Sequence, residues 1–323
     1  AEAIIKKMIA KEDALIKFVP GATQANFVVV AAALSSVQSV IAADTGHINC
    51  HEAASIENTG HKILELPNTD GKITAQQIDE CASEYYDNDA PEYLTEPKMV
   101  YLSFPTEKGT LYSKQELCEI RDVCTKYGMY LFVDGARMGY GLGSEQNDLT
   151  LKDFAELTDV FYIGGTKCGA LFGEALIITA QDLKYRFKAY MKQNGAVLAK
   201  GWLMGMQFAT MLGSGEYFER TKMADELAMQ IKKALKRGDM VSVNHRTAAF
   251  MESYFDIIFA LNKLTHPGEK RMVQYAIQDA EILPEDFEKN IEDLFTNMYT
   301  DSNAFVETLE KIIDSLKKIE MEC

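Results

Sequence analysis

The sequence predicts an α/β protein with a mostly parallel, seven-stranded sheet covered by helices and followed by a mainly helical C-terminal region. Three observations lead to this class. Short apolar strands alternate with helix-length segments up to about residue 180. Several of the strands end in turns that contain glycine or proline. Beyond residue 181 long helical patterns replace this alternation, and little strand character remains.

The elements follow in a regular order. An amphipathic helix opens the chain, with Ile4, Ile5, Met8 and Ile9 on one face. The next segments are the strand ALIKFVPG, the helix TQANFVVVAAALSS, the strand SVIAAD, the helix INCHEAASIENTG closed by Gly60, the strand KILELP, and the helix TAQQIDECASEYY opened by Thr74. After them come the strand KMVYLSF, the helix SKQELCEIRDVCTKYG between Ser113 and Gly128, the strand MYLFVD, the helix LKDFAELT, and the strands DVFYIGG and ALIIT.

This order predicts three regions. Residues 1–180 form a large ligand-binding α/β domain, and residues 181–238 form connecting helices, including one long helical pattern over DLKYRFKAYMKQNGAVLAKGWLMGMQFATML. Residues 239–323 form a helical tail that ends in an acidic stretch.

Composition excludes several classes of partner. The net charge of −15 argues against a nucleic-acid or anionic-membrane surface, because both partners need a basic stripe. The longest apolar run, FVVVAAAL, is far shorter than the roughly 18 residues of a membrane span. No signal-peptide pattern opens the chain, so a cytoplasmic protein is predicted. The six cysteines lack the spacing of a zinc site, and no metal is expected.

Two strand-end turns carry the chemistry. FVDGARMGYGLG places Asp134 after one strand, and FYIGGTKCGALFG places Lys167 after another. Ligands of α/β sheets bind beyond the carboxyl ends of the strands, so both side chains are expected in one crevice. Neither a dinucleotide fingerprint nor a P-loop matches these turns. A lysine that can form a Schiff base and an acid that can pair with a pyridine nitrogen fit pyridoxal 5′-phosphate (PLP).

Other residues of the first 210 fit the same cofactor. PGATQAN places backbone N–H groups and a hydroxyl at a helix N-terminus, where a phosphate binds well. His47 is positioned to lie over the cofactor ring, and Arg137 to meet its phenolic oxygen or the substrate carboxylate. The residues predicted to bind cofactor are Gly21, Ala22, Thr23, His47, Asp134, Arg137, Thr166 and Lys167. Taken singly, each has a structural alternative: a turn-forming Asp-Gly pair, a solvated lysine, a capping histidine.

Residues 12–235 resemble the low-specificity threonine aldolases, within the β-eliminating lyases of the aspartate aminotransferase fold (PLP fold type I). The resemblance lies in FVPGATQAN, IAADTGHINCHEA, DGKIT, LSFPTEKGTLYSKQEL, LFVDGARMGYGLG, DVFYIGGTKCGALFGEALI and GAVLAKGWLMGMQF. It implies that Lys167 attaches PLP covalently, that Asp134 pairs with the ring nitrogen, and that His47 stacks on the ring. It also implies that Arg137 binds near the phenolic oxygen and the substrate carboxylate. Ala22 and Thr23 are expected at the phosphate, and Glu52 is expected to support His47. Family members are homodimers or homotetramers.

Three departures from the family pattern are visible. A family segment with an Arg-Ser-Asp motif, expected before this sequence, is absent from it. Thr106-Glu107 stands where many members carry His-Asn, so the group that attends the substrate hydroxyl is not evident. Nothing after Gly238 resembles the family's closing α/β domain and its second carboxylate-binding arginine.

The expected function is PLP-dependent cleavage of the Cα–Cβ bond of β-hydroxy-α-amino acids, which takes threonine or allo-threonine to glycine and acetaldehyde. Lys167, His47 and Asp134 are the predicted catalytic residues, with His47, or a water molecule it holds, as the base for the β-hydroxyl. Two alternatives stay open. One is β-elimination or racemisation with the same cofactor, and the other is a non-catalytic helical binding or scaffold protein on a degraded aldolase half.

Overall fold

The computed structural model describes residues 1–262, 264–265, 267–268 and 270–322, with every side chain of residues 1–222. The chain forms two compact units. The first is Ala1–Asp225, and the second begins at Glu226. The domain boundaries at residues 180 and 238 stay predictions.

The first unit contains the predicted seven-stranded sheet. Its strands are β1 (Leu15–Val19), β2 (Gln38–Ala43), β3 (Lys62–Leu66), β4 (Glu96–Ser103), β5 (Tyr130–Asp134), β6 (Val160–Gly164) and β7 (Glu174–Ile178). Their order across the sheet is β1-β7-β6-β5-β4-β2-β3. Only β7 runs against the others, so the carboxyl ends of β1 to β6 and the start of β7 meet at one edge.

Helices cover both faces of this sheet. They are α1 (Glu2–Ile9), α2 (Ala22–Ala33), α3 (His47–Cys50), α4 (Ala75–Tyr86), α5 (Lys114–Tyr127), α6 (Met138–Gly143), α7 (Leu151–Leu157), α8 (Gln181–Lys184), α9 (Phe187–Gln193), α10 (Trp202–Gly213) and α11 (Glu216–Lys236). Alternate residues of each strand enter opposite cores: Val100 and Leu102 belong to one cluster, Met99 and Tyr101 to the other. Burial on both sides explains the continuous apolar runs of the strands.

The predicted caps are present where the helix signals are strongest. Thr74 and Ser113 each accept a hydrogen bond from the backbone three residues on, and Gln77 and Glu116 complete two capping boxes. Gly128 closes α5 in the left-handed conformation, at φ 63°.

Two helix predictions are wrong in extent. INCHEAASIENTG forms only the short α3 and a 3₁₀ turn at Glu57–Thr59, because Ala53 and Ala54 adopt left-handed φ angles that interrupt a helix. The long helix predicted after residue 181 is three helices, α8 to α10. Arg186 and Gly195, both at positive φ, separate them.

The second unit is helical, as predicted. α12 (Met240–Leu261), α13 (Met272–Asp279), α14 (Phe287–Asn297) and α15 (Ser302–Glu322) follow the shared α11. They have a core of their own in which Tyr254 and Phe255 pack against Phe287. Among the helices described in both units, none combines the length and the apolar character needed to cross a bilayer.

Candidate active site

The predicted turns lie side by side at one edge of the sheet. β4 and β5 are in register so that Ser103 pairs with Asp134, the last residue of β5. The Gly164 N–H donates to the Gly135 carbonyl oxygen over 2.9 Å, which ties the end of β6 to the turn after β5. Lys167 follows in a 3₁₀ turn, Thr166–Cys168.

Close packing of the two turns accounts for their glycines. A Cβ on Gly135 would lie 1.8 Å from the Tyr162 carbonyl oxygen, and one on Gly164 would lie 2.2 Å from the Ala136 carbonyl oxygen. Both contacts are with backbone atoms, so neither can be relieved by a rotamer change. Glycine at these positions allows the turn that carries Asp134 and the turn that carries Lys167 to pack closely against each other.

Two tyrosines donate hydrogen bonds to backbone carbonyls of the lysine turn, which we define as residues 164–168. The hydroxyl of Tyr217, on α11, donates to the Gly164 carbonyl over 2.8 Å and accepts from the Gly139 N–H over 3.1 Å. The Tyr140 hydroxyl donates to the Lys167 carbonyl over 2.9 Å. The sequence analysis missed both residues, since their hydroxyls reach these turns only through tertiary packing.

Asp134 is buried, with 4% of its surface exposed. Its Oδ2 accepts from the Tyr101 hydroxyl at 2.5 Å and from Asn26 Nδ2 at 3.2 Å, and its Oδ1 accepts from the Ala136 N–H at 2.9 Å. Three donors and no acceptor suit an ionised carboxylate. Burial and the charge of Asp134 in turn raise the pKa of Tyr101 well above its usual value, so this tyrosine remains a donor.

His47 is held by a second buried carboxylate. Glu52 Oε1 bonds His47 Nδ1 at 2.8 Å and accepts from Asn26 Nδ2 at 2.7 Å, while its Oε2 accepts from the Ser55 hydroxyl at 2.8 Å. Glu52 therefore makes the direct contact with His47 that its expected supporting role requires. Asn26 donates one amide hydrogen to each of the two carboxylates, so it couples the His47 support to Asp134.

Asn26 is a site residue that the sequence analysis quoted but did not select. It lies in α2 between the PGAT turn and the apolar run FVVVAAA, and it is fully buried. An amide inside an otherwise apolar helix face was the available signal. Its Oδ1 atom has no hydrogen-bond partner within residues 1–222 or the other described side chains.

Lys167 and Arg137 form the cationic side of the site. Burial lowers the pKa of Lys167, and the positive charge of Arg137 lowers it further, whereas the negative charges of Asp134 and Glu174 oppose this shift. Among the described side chains, neither cation has a hydrogen-bond or ion-pair partner. An amine with a lowered pKa is more often neutral and nucleophilic at neutral pH.

The predicted phosphate site is the start of α2. Gly21 is its N-cap, and the first N–H bonded within the helix is that of Ala25, so the earlier N–H groups have no helical partner. No atom lies within 4 Å of the position of a Gly21 Cβ, so the approach to these groups is open. The Thr23 side chain is exposed beside them. A cleft of about 950 Å³ adjoins this helix start and is lined by Gly21, Thr23, Gln24, Glu52, Ser55 and Asn194.

Thr166 is held by a contact between the lysine turn and the segment that leads into β7. Its hydroxyl accepts from the Gly173 N–H at 3.0 Å and also bonds Glu174. Glu174 accepts from the Gly165 N–H at 2.7 Å, and burial raises its pKa to about 7. The sequence analysis did not select Glu174, which lies at the start of β7 beneath the lysine turn.

The chain has similarities to known proteins. Residues 1–257 match the family described as Beta-eliminating lyase. The chain belongs to the beta-eliminating lyase family. The predicted resemblance is therefore confirmed, and the family match extends beyond residue 238 into the region that was predicted to differ.

Named relatives of this beta-eliminating lyase family member are threonine aldolases. Low specificity L-threonine aldolase of Pseudomonas aeruginosa is 32% identical over 199 residues, which are 60% of this chain and 56% of that protein. The chain thus spans just over half the length of this curated relative. Threonine aldolase of Leishmania major is 43% identical, with a TM-score of 0.69 over 72% of this chain and 67% of that one.

The predicted fold is also confirmed. Aspartate aminotransferase of Thermus thermophilus, with maleate, superposes with a TM-score of 0.53 over 69% of this chain and 56% of that one at 16% identity. At that identity the likeness concerns the fold alone, which is the mostly parallel α/β fold of type I PLP enzymes.

Proposed function

We propose that this protein is a PLP-dependent lyase that cleaves the Cα–Cβ bond of β-hydroxy-α-amino acids, with threonine or allo-threonine giving glycine and acetaldehyde. The observation that carries the proposal is the pairing of Lys167, a half-buried amine with a lowered pKa, with the fully hydrogen-bonded carboxylate of Asp134 on the adjacent turn. The names of the relatives support the substrate class.

The residues present fit PLP. The donor set combines an available amine, a buried carboxylate, and the open N-terminus of α2, which suit the aldehyde, the ring nitrogen and the phosphate respectively. Within the part of the chain that the structure describes, the buried Asn26 Oδ1 atom has no hydrogen-bond partner, as is expected where a ligand completes a polar network. In the proposal, Lys167 and Asp134 hold the aldehyde and the ring nitrogen, Gly21, Ala22 and Thr23 hold the phosphate, and His47 covers the ring.

When bound, PLP supplies an electron sink for the pair released at the substrate's α-carbon. The chain's own residues prepare the site for that event. Asp134, fixed by its three donors, keeps a negative charge where a protonated ring nitrogen needs one. Arg137 has no hydrogen-bond or ion-pair partner among the side chains that the structure describes, and its guanidinium can bind the substrate carboxylate through two parallel hydrogen bonds. Glu52 fixes the orientation of the His47 ring. Thr166 is proposed as a cofactor residue only through its neighbour Lys167, since its hydroxyl has internal partners.

The proposal is tested by product analysis. Protein purified with PLP is incubated with L-threonine and L-allo-threonine, and glycine and acetaldehyde are measured together. Equal amounts of both products are expected. Ammonia and a keto acid from L-serine, without cleavage of threonine, would favour β-elimination, and loss of optical activity alone would favour racemisation. No PLP absorption band and no product would favour the non-catalytic scaffold.

We also propose that the protein works as a cytoplasmic homo-oligomer. Several large apolar side chains of the first unit are exposed to solvent, namely Leu171, Trp202, Leu203 and Met206. An apolar surface of this kind is typical of protein interfaces. Sedimentation velocity is expected to give a mass of two or four chains, and a monomer at micromolar concentration would contradict the proposal.

A further inference from the structure

Cleavage of a β-hydroxy-α-amino acid requires a group that takes the proton of the β-hydroxyl. We propose that the carboxylate of Glu107 takes this proton. The inference rests on the proposed function and replaces His47, the base expected from the sequence.

Glu107 is fixed at the same edge of the sheet as Asp134. It lies four residues beyond Ser103, the last residue of β4. Its Oε1 accepts from the Ser103 hydroxyl at 2.5 Å and from the backbone N–H of His47 at 3.1 Å. These two bonds attach the carboxylate both to the end of β4 and to the start of α3, which carries the His47 ring.

Glu107 interacts electrostatically with the other functional groups of the site. Burial raises the pKa of Glu107, the negative charge of Asp134 raises it further, and the Ser103 hydrogen bond and Arg137 oppose the shift. The charge of Glu107 acts in turn on the pKa of Lys167. A carboxylate with a raised pKa is a stronger base than an ordinary one.

Two of the other candidate bases are committed elsewhere. Both oxygens of Asp134 accept hydrogen bonds from Tyr101, Asn26 and the Ala136 N–H. Glu174 is almost fully buried beneath the lysine turn and accepts from the Gly165 N–H. His47 has Nδ1 bonded to Glu52, which fixes the ring plane and leaves Nε2 as the competing base that the H47F variant tests. Glu107 Oε2 receives no hydrogen bond from another residue within the described part of the chain.

The proposed step conserves atoms and electrons. The proton passes from the substrate's β-oxygen to a Glu107 carboxylate oxygen, and the O–H electron pair becomes the second bond of the aldehyde carbonyl. The Cα–Cβ bond breaks, and its electron pair stays with the amino-acid fragment. That fragment gains one proton at Cα to give glycine, and Glu107 returns its proton to solvent. No oxidant or further reactant is needed.

The test compares E107Q and E107A with E119Q, which makes the same charge change on the exposed face of α5. Threonine cleavage is expected to fall about 100-fold or more in E107Q and to stay within about twofold in E119Q. Exchange of the glycine α-proton in D₂O, followed by NMR, needs no β-hydroxyl and is expected to stay within about threefold in E107Q. H47F is expected to lose less cleavage than E107Q does.

Ligand binding gives a second readout that does not depend on turnover. E107Q retains an amide oxygen for the hydroxyl, so calorimetry is expected to show about fivefold tighter binding of L-threonine than of L-2-aminobutyrate. E107A is expected to bind the two amino acids equally. The same preference in both variants would overturn a contact with the hydroxyl.

The cleavage assays separate the two proposals. If the wild-type protein cleaves threonine and E107Q does so within about threefold, Glu107 is not the base, whereas the proposed function stands. If E107Q loses cleavage and glycine exchange to the same extent, its role is not specific to the hydroxyl, and the inference fails. If the wild-type protein exchanges glycine but cleaves no threonine, the proposed function fails, and the inference fails with it.

Discussion

The turns that follow β5 and β6 pack against each other through glycine, yet they hold their charged residues differently. Asp134 is buried and accepts three hydrogen bonds, from Tyr101, Asn26 and the Ala136 N–H. Lys167 is half-buried, and its amine has no hydrogen-bond partner among the described side chains. One turn therefore fixes its charged group with three donors, and the other leaves its charged group available.

This difference matches the different chemical requirements of the two charged groups. A carboxylate that is bonded before a ligand arrives needs no reorganisation to stabilise a positive charge placed beside it. A lysine that must form and break a covalent bond needs the opposite, because strong ion pairing would keep it protonated. Burial and the neighbouring Arg137 lower the pKa of Lys167 and so favour its neutral form.

Loss of the available amine is expected to have the largest effect. K167A should reduce threonine cleavage below detection, since loss of a covalent nucleophile costs on the order of 10⁶ in rate in other enzymes. Borohydride reduction of the PLP-loaded wild-type protein should label the peptide that contains Lys167, and K167A should carry no label. The matched control is K152A, at an exposed position on α7. A label on a different lysine in the wild-type protein would contradict the assignment.

Loss of the Asp134 charge is expected to reduce turnover less than loss of Lys167 does. D134N keeps the shape of the side chain, but it removes the negative charge and sets an amide against the Tyr101 hydroxyl and the Asn26 amide. Turnover should fall about 100- to 1,000-fold, as it does when a preorganised electrostatic partner is removed. Absorption spectroscopy should show that PLP is still attached, and D89N, at an exposed loop position, is the control. Unchanged turnover would remove Asp134 from the proposed role.

The sequence predicted these two turns because local signals define them. An apolar strand followed by Asp-Gly or Gly-Gly-Thr-Lys fixes both the strand end and the sharp turn, and the sheet edge then follows from the α/β alternation. All seven strands and the caps at Thr74 and Ser113 were predictable for the same reason. The hydroxyl of Tyr217, in contrast, reaches Gly164 across 53 positions of sequence, and no local pattern announces that contact.

The region around Glu52 shows why the rest of the site was not predictable. Its helical pattern failed because Ala53 and Ala54 adopt left-handed angles, which alanine does not signal. The Glu52 carboxylate contacts Asn26 and His47 only in the folded chain. Glu107 was noticed as a departure from a family pattern, but its bonds to Ser103 and the His47 N–H became visible only in the structure.

Loss of Asn26, which bridges the Glu52 and Asp134 carboxylates, is expected to have the next smaller effect on turnover. N26A removes the donor shared by Glu52 and Asp134, and two buried acceptors each lose one partner. The free energy of unfolding should fall by about 1–3 kcal/mol, and turnover by about tenfold, because the Asp134 carboxylate keeps two of its donors. Denaturant titration and steady-state kinetics measure the two effects, and N88A, at an exposed position, serves as the control. A change in neither quantity would show that the bridge is dispensable.

Glu174, beneath the lysine turn, is expected to have the smallest effect on turnover and a distinct effect on stability. Burial raises its pKa to about 7. Between pH 4.5 and 7 the folded protein therefore retains a proton on this carboxyl that the unfolded chain has released. Because the folded state binds more protons in this range, the contribution of Glu174 to the free energy of unfolding falls as pH rises, and it levels off above pH 7.

E174Q removes this dependence and keeps an amide oxygen that can accept from the Gly165 N–H. The difference in free energy of unfolding, E174Q minus wild type, should rise with pH across that window by at most about 3.5 kcal/mol, at about 1.4 kcal/mol per pKa unit. Every other titrating group is common to both proteins, so the difference isolates Glu174. Trp202, the one tryptophan of the chain, lies in the same compact unit and reports its unfolding by fluorescence. Turnover at pH 8 should stay within about threefold. A difference that is flat with pH would mean that Glu174 titrates alike in the folded and unfolded chains, and the contrast between the two turns would then rest on Asp134 and Lys167 alone.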